Sequence, residues 1–453
     1  ADPKDFRSFD QDEPGLLPYA SLVATRSSDG SQLRALCGVY EWQSNPLVFV
    51  VDGQNIRDDS HFCHIRRCVA LRGDAPYLAV FRPGHLTIHR IALDNDGSDA
   101  TQVKTACEED WTVVPLLAIS RPWFKTATIW ISQVVLKLLK DTIAELQRCG
   151  LAGNDAISLA GRALFLRFLA DRNLFPNSLG KTEQAFDNSI NAITACRWLD
   201  RTFNGDLLPV SYDLFDTLPR EVFFALGNIL RKSPDAQLYL GWEEKWDYLD
   251  FAHIPVGVLS EAYEQYMRED DPKKQRSEGS YYTPRAIVDF MVSAAFHGLR
   301  REGIAHEARV LDPAVGAGVY LVATFRQLVA ERWAHYGRRP ETLELREILY
   351  QQITGFDINE AALRFSALGL YLMSIELDPE PEPVEKLKFQ KNLHGSVLFD
   401  LSSAEDGLGS LGTGVSSAHH AHYDLVIGNP PWSRSTRLLG WKSLSKAVGE
   451  IAQ

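Results

Sequence analysis

Cysteine is scarce in this sequence and nowhere arranged for bridging. The six cysteines, at positions 37, 63, 68, 107, 149 and 196, form no CxxC pair. A disulfide framework is therefore not expected, and a reducing cytoplasm is the natural setting. Positive charge is in deficit, with 47 Lys and Arg against 59 Asp and Glu and a formal net charge of −12. Nucleic-acid binding needs phosphate contacts, so any basic surface must be localised or supplied by another segment. No uncharged apolar run is long enough to cross a bilayer, and the opening residues do not read as a signal peptide. No membrane partner is expected.

Other absences narrow the chemistry. Asp74 precedes a strand, but Leu86-Thr87-Ile88-His89-Arg90 supplies no acidic-x-Lys triplet, so a working Mg²⁺ nuclease is not expected. No GxGxxG fingerprint follows a strand, which disfavours NAD. The run His61-Phe62-Cys63-His64-Ile65-Arg66-Arg67-Cys68 holds four zinc-ligand types within eight positions. Structural zinc usually draws its ligands from two separated segments. A helix with buried Cys and exposed His is the expectation, and no metal site is predicted. No repeat recurs at a solenoid period.

With 453 residues, 45% of them hydrophobic, the chain can build two or three cores. Residues 1–125 read as a mixed α/β domain, with strands at Ala35–Trp42, Leu47–Val51, Tyr77–Phe81 and Leu86–Leu93. Residues 126–275 read as helical. Val134, Val135, Leu138 and Leu139 recur at helical spacing, as do Leu164, Phe165, Phe168 and Leu169. Further helices are predicted over Gln184–Arg201, Arg220–Arg231 and Val256–Met267. Trp242, Trp246 and Tyr248 read as core rather than as a nucleic-acid surface. The hydrophilic stretch Arg268–Gly279 reads as a linker or flexible surface loop. Residues 276–453 form a third, α/β domain.

That third domain carries the informative stretches. Tyr282-Thr283-Pro284 precedes a helix near Arg285, with Thr283 at the N-cap and Pro284 at the first helical position. Arg309-Val-Leu-Asp312-Pro313-Ala314-Val315-Gly316-Ala317-Gly318 is a short strand feeding a glycine turn, with a helix from about Val319. Gln352–Asn359 is the next strand, ending at Asp357 and Ile358 before a helix over Glu360–Ile375. Asn392-Leu-His-Gly395-Ser396-Val397-Leu398 follows. The tract Ser402–His422, rich in Ser, Gly and His, reads as a mobile loop with solvated histidines. Finally, the apolar run Tyr423–Gly428 reads as a buried strand stopped by Asn429-Pro430-Pro431-Trp432. Two prolines in succession donate no amide and fix two φ angles, so carbonyls and the Asn429 amide sit on a stiff loop beside a flat indole. Such a loop suits a planar base with an exocyclic amine. A Pro-Pro turn with a core tryptophan is the plainer account of the tetrapeptide taken alone.

In this order the stretches resemble motifs X, I, II, III and IV of the S-adenosylmethionine-dependent DNA N6-adenine methyltransferases of the gamma order. These include type I and type IIG restriction–modification methylases and BREX- or DISARM-like methylases. The helical segment resembles, by position, the one that precedes their catalytic domain. The resemblance implies a Rossmann-like sheet in the third domain, S-adenosylmethionine as cofactor and double-stranded DNA as partner, with defence-system subunits as possible further partners.

For individual residues, it implies that Tyr282, Thr283 and Pro284 meet the methionine end of the cofactor. Gly316 and Gly318, with Pro313 and Ala314, would let the backbone pass close to it, and Asp312 would meet its amino group. Asp357 would bind the ribose diol and Ile358 would flank the adenine. Ser396 and Val397 occupy the motif III position, with Ser396 in the place of a common Asp. Asn429 and Pro430 would accept the amino hydrogens of a target adenine, on the loop completed by Pro431, and Trp432 would stack on the base.

Two alternatives stay open: a protein glutamine N5-methyltransferase, which shares the Asn-Pro-Pro-aromatic loop, and a cofactor-sensing DNA-docking subunit without catalysis. Little more than one helix, Leu438–Ala452, is predicted after Trp432, although Arg434, Arg437, Lys442 and Lys446 are basic. The sheet is therefore expected to be truncated after motif IV, in the N-terminal part of a longer polypeptide or one half of a split enzyme. The isolated chain is expected to show an open sheet edge and no sequence-specific methylation.

Overall fold

A computed structural model describes residues 5–91, 102–106, 117–119, 131–231, 249–270, 283–381, 383–384, 387–404 and 409–430. The first part is built on a sheet of strands β1 (Phe6–Ser8), β2 (Leu36–Trp42), β3 (Asn45–Asp52), β4 (Tyr77–Arg82), β5 (His85–Arg90) and β6 (Gln102–Ala106), paired in sequence order. Leu47, Phe49 and Val51 of β3 are fully buried, as period-2 alternation requires of a covered strand. Between β2 and β3 the chain turns through Gln43 and Ser44, both at positive φ (52° and 62°), the handedness that suits a tight hairpin. All neighbours pair antiparallel except β3 and β4, which run parallel across helix α2 (Asp59–Ala70). Helix α1 (Ala20–Ser27) precedes β2.

Contacts place two of the stretches singled out in this part. The histidine–cysteine run does form a helix, α2, capped by Asp58 at 2.8 Å from the His61 amide. His61, however, is buried rather than exposed, with its Nε2 2.6 Å from the Gln32 carbonyl. Among the described residues no group of three or more His, Cys, Asp or Glu could hold a metal ion. Asp74 is paired with buried Arg72 at 2.7 Å.

The helical part comprises α3 (Ile131–Arg148), α4 (Gly153–Asp171), α5 (Ser189–Thr202), α6 (Arg220–Leu230) and α7 (Gly257–Asp270). The predicted helix over Gln184–Arg201 starts later, because Asn188 caps α5 by accepting from the Asn191 amide at 3.0 Å. Helix α7 runs to Asp270, into the stretch read as a linker. The trio Trp242, Trp246 and Tyr248 lies outside the described residues.

Helix α4 is buried nearly all round, and its arginines are spent on loop carbonyls. Arg162 donates to the Leu208 carbonyl at 2.8 Å and to Asp200 at 2.7 Å. Arg167 reaches the Ile229 and Leu249 carbonyls at 2.9 and 2.8 Å and pairs with Asp171 at 2.7 Å. A buried guanidinium with several fixed acceptors ties irregular backbone to the core, because each donor must be satisfied.

The last part has α8 (Arg285–Glu302), β7 (Val310–Asp312), α9 (Val319–Tyr336), α10 (Thr342–Gln351), β8 (Ile353–Asp357), α11 (Glu360–Leu377), β9 (Leu398–Asp400) and β10 (Leu425–Val426). Its four strands are all parallel in the order β10-β7-β8-β9. The chain steps outward from β7 to β8 to β9, then returns to lay β10 on the other side of β7. That reversal makes a topological switch point between β7 and β10, where open α/β sheets bind ligands. The fold is thus α/β with a mixed sheet, a helical segment and a Rossmann-like parallel sheet. One continuous apolar core runs from α3 through α11 to Ile427, so the helical segment and the parallel sheet share their interior. Among the described residues no helix is long and apolar enough to cross a membrane.

Candidate active site

The carboxyl ends of the parallel strands gather four acidic side chains and the Asn-Pro loop. Strand β7 ends at Asp312, β8 at Asp357 and β9 at Asp400, and β10 leads through Ile427 and Gly428 to Asn429. Between β7 and α9 the chain makes its glycine turn. Gly318 sits at φ 87° as the N-cap of α9, and a Cβ there would lie 2.4 Å from Ser366 Oγ. Gly316 is at φ 55°. Only glycine takes these angles without strain, and both positions hold backbone close to neighbouring groups.

Three carboxylates hold the amides of this turn. The Ala314 N–H donates to Asp312 Oδ1 at 3.0 Å, and the Gly316 N–H to Asp357 Oδ2 at 2.7 Å. The Ala317 N–H donates to Glu264 Oε1 at 3.2 Å. Asp357 Oδ1 also accepts from the Asn359 amide at 2.8 Å, and the Ile358 amide bonds the same carboxylate. Burial pushes the Asp312 carboxyl up to about 7, further raised by Asp357 and relieved in part by the Ala314 amide. Burial, with Asp312, Glu261 and Asp357 nearby, pushes Glu264 up to about 8 against the relief of the Ala317 amide. Asp357 is raised as well, again chiefly by burial. No described cation offsets the three. Asp312 is fully buried, and its Oδ2 has no hydrogen-bond partner.

Glu264 was not singled out from sequence. It stands on α7, upstream of the other stretches and among tyrosines, and only the packing of α7 against α9 and α11 brings it to the turn. No local pattern could have marked it.

Ser396 and Val397 are not at this edge. Strand β9 pairs with β8 in the register Gly355↔Leu398, Phe356↔Phe399 and Asp357↔Asp400. Ser396 and Val397 therefore precede the amino end of β9, away from Asp357. The Ser396 hydroxyl donates to the Asn392 carbonyl within its own turn, and Val397 is fully buried. The acid that faces Asp357 across the ladder is Asp400, and the correction follows from a register that spacing alone did not fix. Ile358 does stand at the carboxyl edge, half exposed.

The Thr283 turn and the Asn429 loop meet directly. Asn429 Nδ2 donates to Thr283 Oγ1 at 3.0 Å. Thr283 is thus not the cap expected of it: α8 has Pro284 at the N-cap, with no side-chain cap bond. Gly428 passes so close to β7 that a Cβ would lie 2.3 Å from Asp312 Oδ1 and 3.3 Å from Pro313 Cδ. Pro430 is exposed. Tyr282, Pro431 and Trp432 lie outside the described residues.

The histidine tract is more ordered in its contacts than a solvated loop. The His419 ring lies 5.1 Å from Phe356 and 4.8 Å from Phe399, edge-on to both, and its Nδ1 is 2.6 Å from the Tyr423 hydroxyl.

Comparison with known proteins gives one family match, to the N-6 DNA methylase model, over residues 256–442. No curated protein matches the sequence. Among solved structures the chain is similar to a cryo-EM structure of a DrdV–DNA complex, with TM-score 0.37 and 14% identity over 87% of this chain and 37% of that one. It is similar to the type IIG restriction endonuclease BpuSI, with TM-score 0.38 and 12% identity over 99% of this chain and 48% of that one. It is also similar to the type IIL restriction–modification enzyme MmeI in complex with DNA, with TM-score 0.36 and 17% identity over 61% and 40% of the two chains. The chain spans less than half the length of each of these. Residues 256–442, less than half of the chain, are thus similar to the N-6 DNA methylase family.

Proposed function

We propose that this chain transfers a methyl group from S-adenosylmethionine to the N6 amine of adenine in double-stranded DNA. The observation that carries the reading is the meeting, at one switch point, of an acid-lined glycine turn with the Asn429 loop. Asp312, Asp357 and Glu264 form an anionic cradle without a described cation, and Asp312 Oδ2 lacks a partner. A ligand with an ammonium and a sulfonium fits that deficit. When bound, S-adenosylmethionine supplies an electrophilic methyl group on a positively charged sulfur.

The chain's own residues would divide the remaining work. Asp312 and Glu264 hold the ammonium, with Tyr282, Thr283, Pro284, Pro313 and Ala314 around the methionine end. Asp357 accepts from the ribose diol, Ile358 covers a face of the adenine, and Asp400, opposite Asp357 in the ladder, accepts from the adenine amine. The carbonyl oxygens of Asn429 and Pro430 accept the two amino hydrogens of the target base and draw its lone pair out of the ring. Fixed dipoles aimed at the charge that develops on the nitrogen need no reorganisation during the reaction. Pro431 stiffens the loop, and Trp432 stacks on a base flipped from the duplex.

A role in restriction–modification or another phage-defence system belongs to this proposal. So does a more basic recognition segment or partner that supplies DNA affinity to a chain of net charge −12. The test is incubation of the chain with labelled S-adenosylmethionine and mixed-sequence duplex DNA, followed by nucleoside analysis. Label on N6-methyladenine, scattered over the duplex and not confined to one sequence, is expected and should vanish in Asn429→Ala. Label on cytosine or on a protein glutamine would overturn the reading.

A further inference from the structure

We infer that Thr283 is a positioning residue for Asn429: its hydroxyl fixes which end of the Asn429 amide faces the acceptor base. This rests on the methyl-transfer reading above and gives Thr283 a task beyond contact with the cofactor. An asparagine amide has two faces of similar shape and opposite polarity, and the surrounding hydrogen bonds decide its orientation. In the proposed role the oxygen must meet the target amine. The amide turned over would present N–H groups to an amine that is itself a donor, and methyl transfer would lose its acceptor.

The structure contains a device that prevents this. Asn429 Nδ2 donates to Thr283 Oγ1 at 3.0 Å, so the nitrogen end of the amide is committed to Thr283. Thr283 is in turn held from behind. Behind it stands the phenol of Tyr320, whose ionisation is raised mainly by burial and lowered by the Thr283 hydroxyl. The Tyr320 hydroxyl donates to Met291 Sδ at 3.2 Å, and Tyr320 is only 5% exposed on α9. Thr283 therefore stands between Tyr320, on the helix after the glycine turn, and Asn429, and it is the member that accepts from the amide.

The polarity of this chain makes specific demands. Serine supplies the same acceptor, whereas valine keeps the shape and removes it. Tyr320→Phe leaves the Thr283–Asn429 bond in place and removes only its support.

The full chain is compared as wild type, Thr283→Val, Thr283→Ser and Tyr320→Phe. Two measurements are made: the single-turnover rate on adenine-containing duplex at saturating S-adenosylmethionine, and cofactor affinity by calorimetry. Thr283→Val should slow methyl transfer by about tenfold, the factor one buried hydrogen bond supplies, and Thr283→Ser should restore it. Because Thr283 also stands near the methionine end, cofactor affinity is not required to stay unchanged; the rate at saturating donor isolates the effect on the base, and it should fall even where binding is complete. Tyr320→Phe should give a smaller loss of about threefold, and it serves if the valine variant folds poorly.

A second readout needs no activity. With ¹⁵N-asparagine labelling, the Asn429 side-chain amide is assigned by its loss in Asn429→Ala. Its protons should exchange faster in Thr283→Val and return to wild-type protection in Thr283→Ser. Wild-type rate and wild-type amide protection in Thr283→Val would overturn the inference. So would a loss confined to cofactor affinity. If wild type itself methylates no adenine, the functional reading fails, and amide exchange alone decides the positioning role.

Discussion

Single carboxylates set the chemistry of this site. Asp357 stands at the end of β8 beside the glycine turn, so Asp357→Ala should cost S-adenosylmethionine affinity roughly tenfold or more, the scale of a hydrogen bond to a charged group. Unchanged calorimetric affinity would remove Asp357 from the ribose role. Asp312 and Glu264, pushed up to about 7 and about 8, also make a pH prediction. Their folded pKa values lie above those of free carboxylates. The stability they contribute is fully present below the free carboxylate range and is lost as pH rises through about 8. The free protein should therefore melt at lower temperature at pH 8.5 than at pH 6, on the order of a few degrees. A cationic ligand reverses the sign: its affinity should rise with pH until both groups ionise, with proton release on binding below that point. Calorimetry in two buffers of different ionisation enthalpy measures the release, and Glu264→Gln should reduce it. Buffer-independent heats at pH 7 would show that these carboxylates do not face the ligand.

At the scale of elements, the turn between β7 and α9 is where sequence and geometry meet most tightly. Gly318 combines φ 87° with an approach that would put a Cβ 2.4 Å from Ser366 Oγ on α11. Gly318→Ala should destabilise the protein by about 1–3 kcal/mol, from left-handed strain and from separating α9 and α11. Thermal denaturation reads this directly, and an unchanged melting temperature would mean the turn relaxes without them. Strand β9 teaches the opposite lesson. Its neighbours in sequence suggested Ser396 as the functional position, but the register pairs Asp400 with Asp357. Asp400→Ala is expected to weaken cofactor binding more than Ser396→Ala, by about threefold or more, in the same calorimetric assay. Equal effects would return Ser396 to consideration.

Across the whole molecule, the helical segment is fastened to the parallel sheet by polar and aromatic contacts as well as a common core. Arg172 reaches from the end of α4 to the Phe251 and Ile254 carbonyls at 2.7 and 2.9 Å and to Glu376 on α11 at 3.1 Å. Asp206 accepts from the Leu393 amide at 2.6 Å, from His394 Nδ1 at 3.1 Å and from the Tyr371 hydroxyl. The Tyr263 ring of α7 stacks on Phe365 of α11 with centroids 3.5 Å apart. A segment cut at residue 276 would expose this interior. We therefore expect residues 276–453 produced alone to lack a cooperative melting transition, while the full chain unfolds its helical and sheet parts together. A sharp calorimetric transition from the isolated segment would show that it folds as an independent unit.

The sequence by itself determined the local chemistry. Branched residues before Asp312 and Asp357, glycines at 316 and 318 and helix starts at Val319 and Glu360 were legible, because strand propensity, positive φ and capping act over a few residues. The order of the stretches also placed Asn429 and the glycine turn on one edge of one sheet. Only the tertiary structure decided which residues complete that edge. Glu264 arrives on a helix more than forty residues upstream of Asp312, Asp400 replaces Ser396 through strand register, and Thr283 turns from a helix cap into the partner of Asn429 across 146 residues of chain. These are contacts between segments distant in sequence. They depend on how helices and strands pack as wholes, and no property of a short window of sequence carries that information.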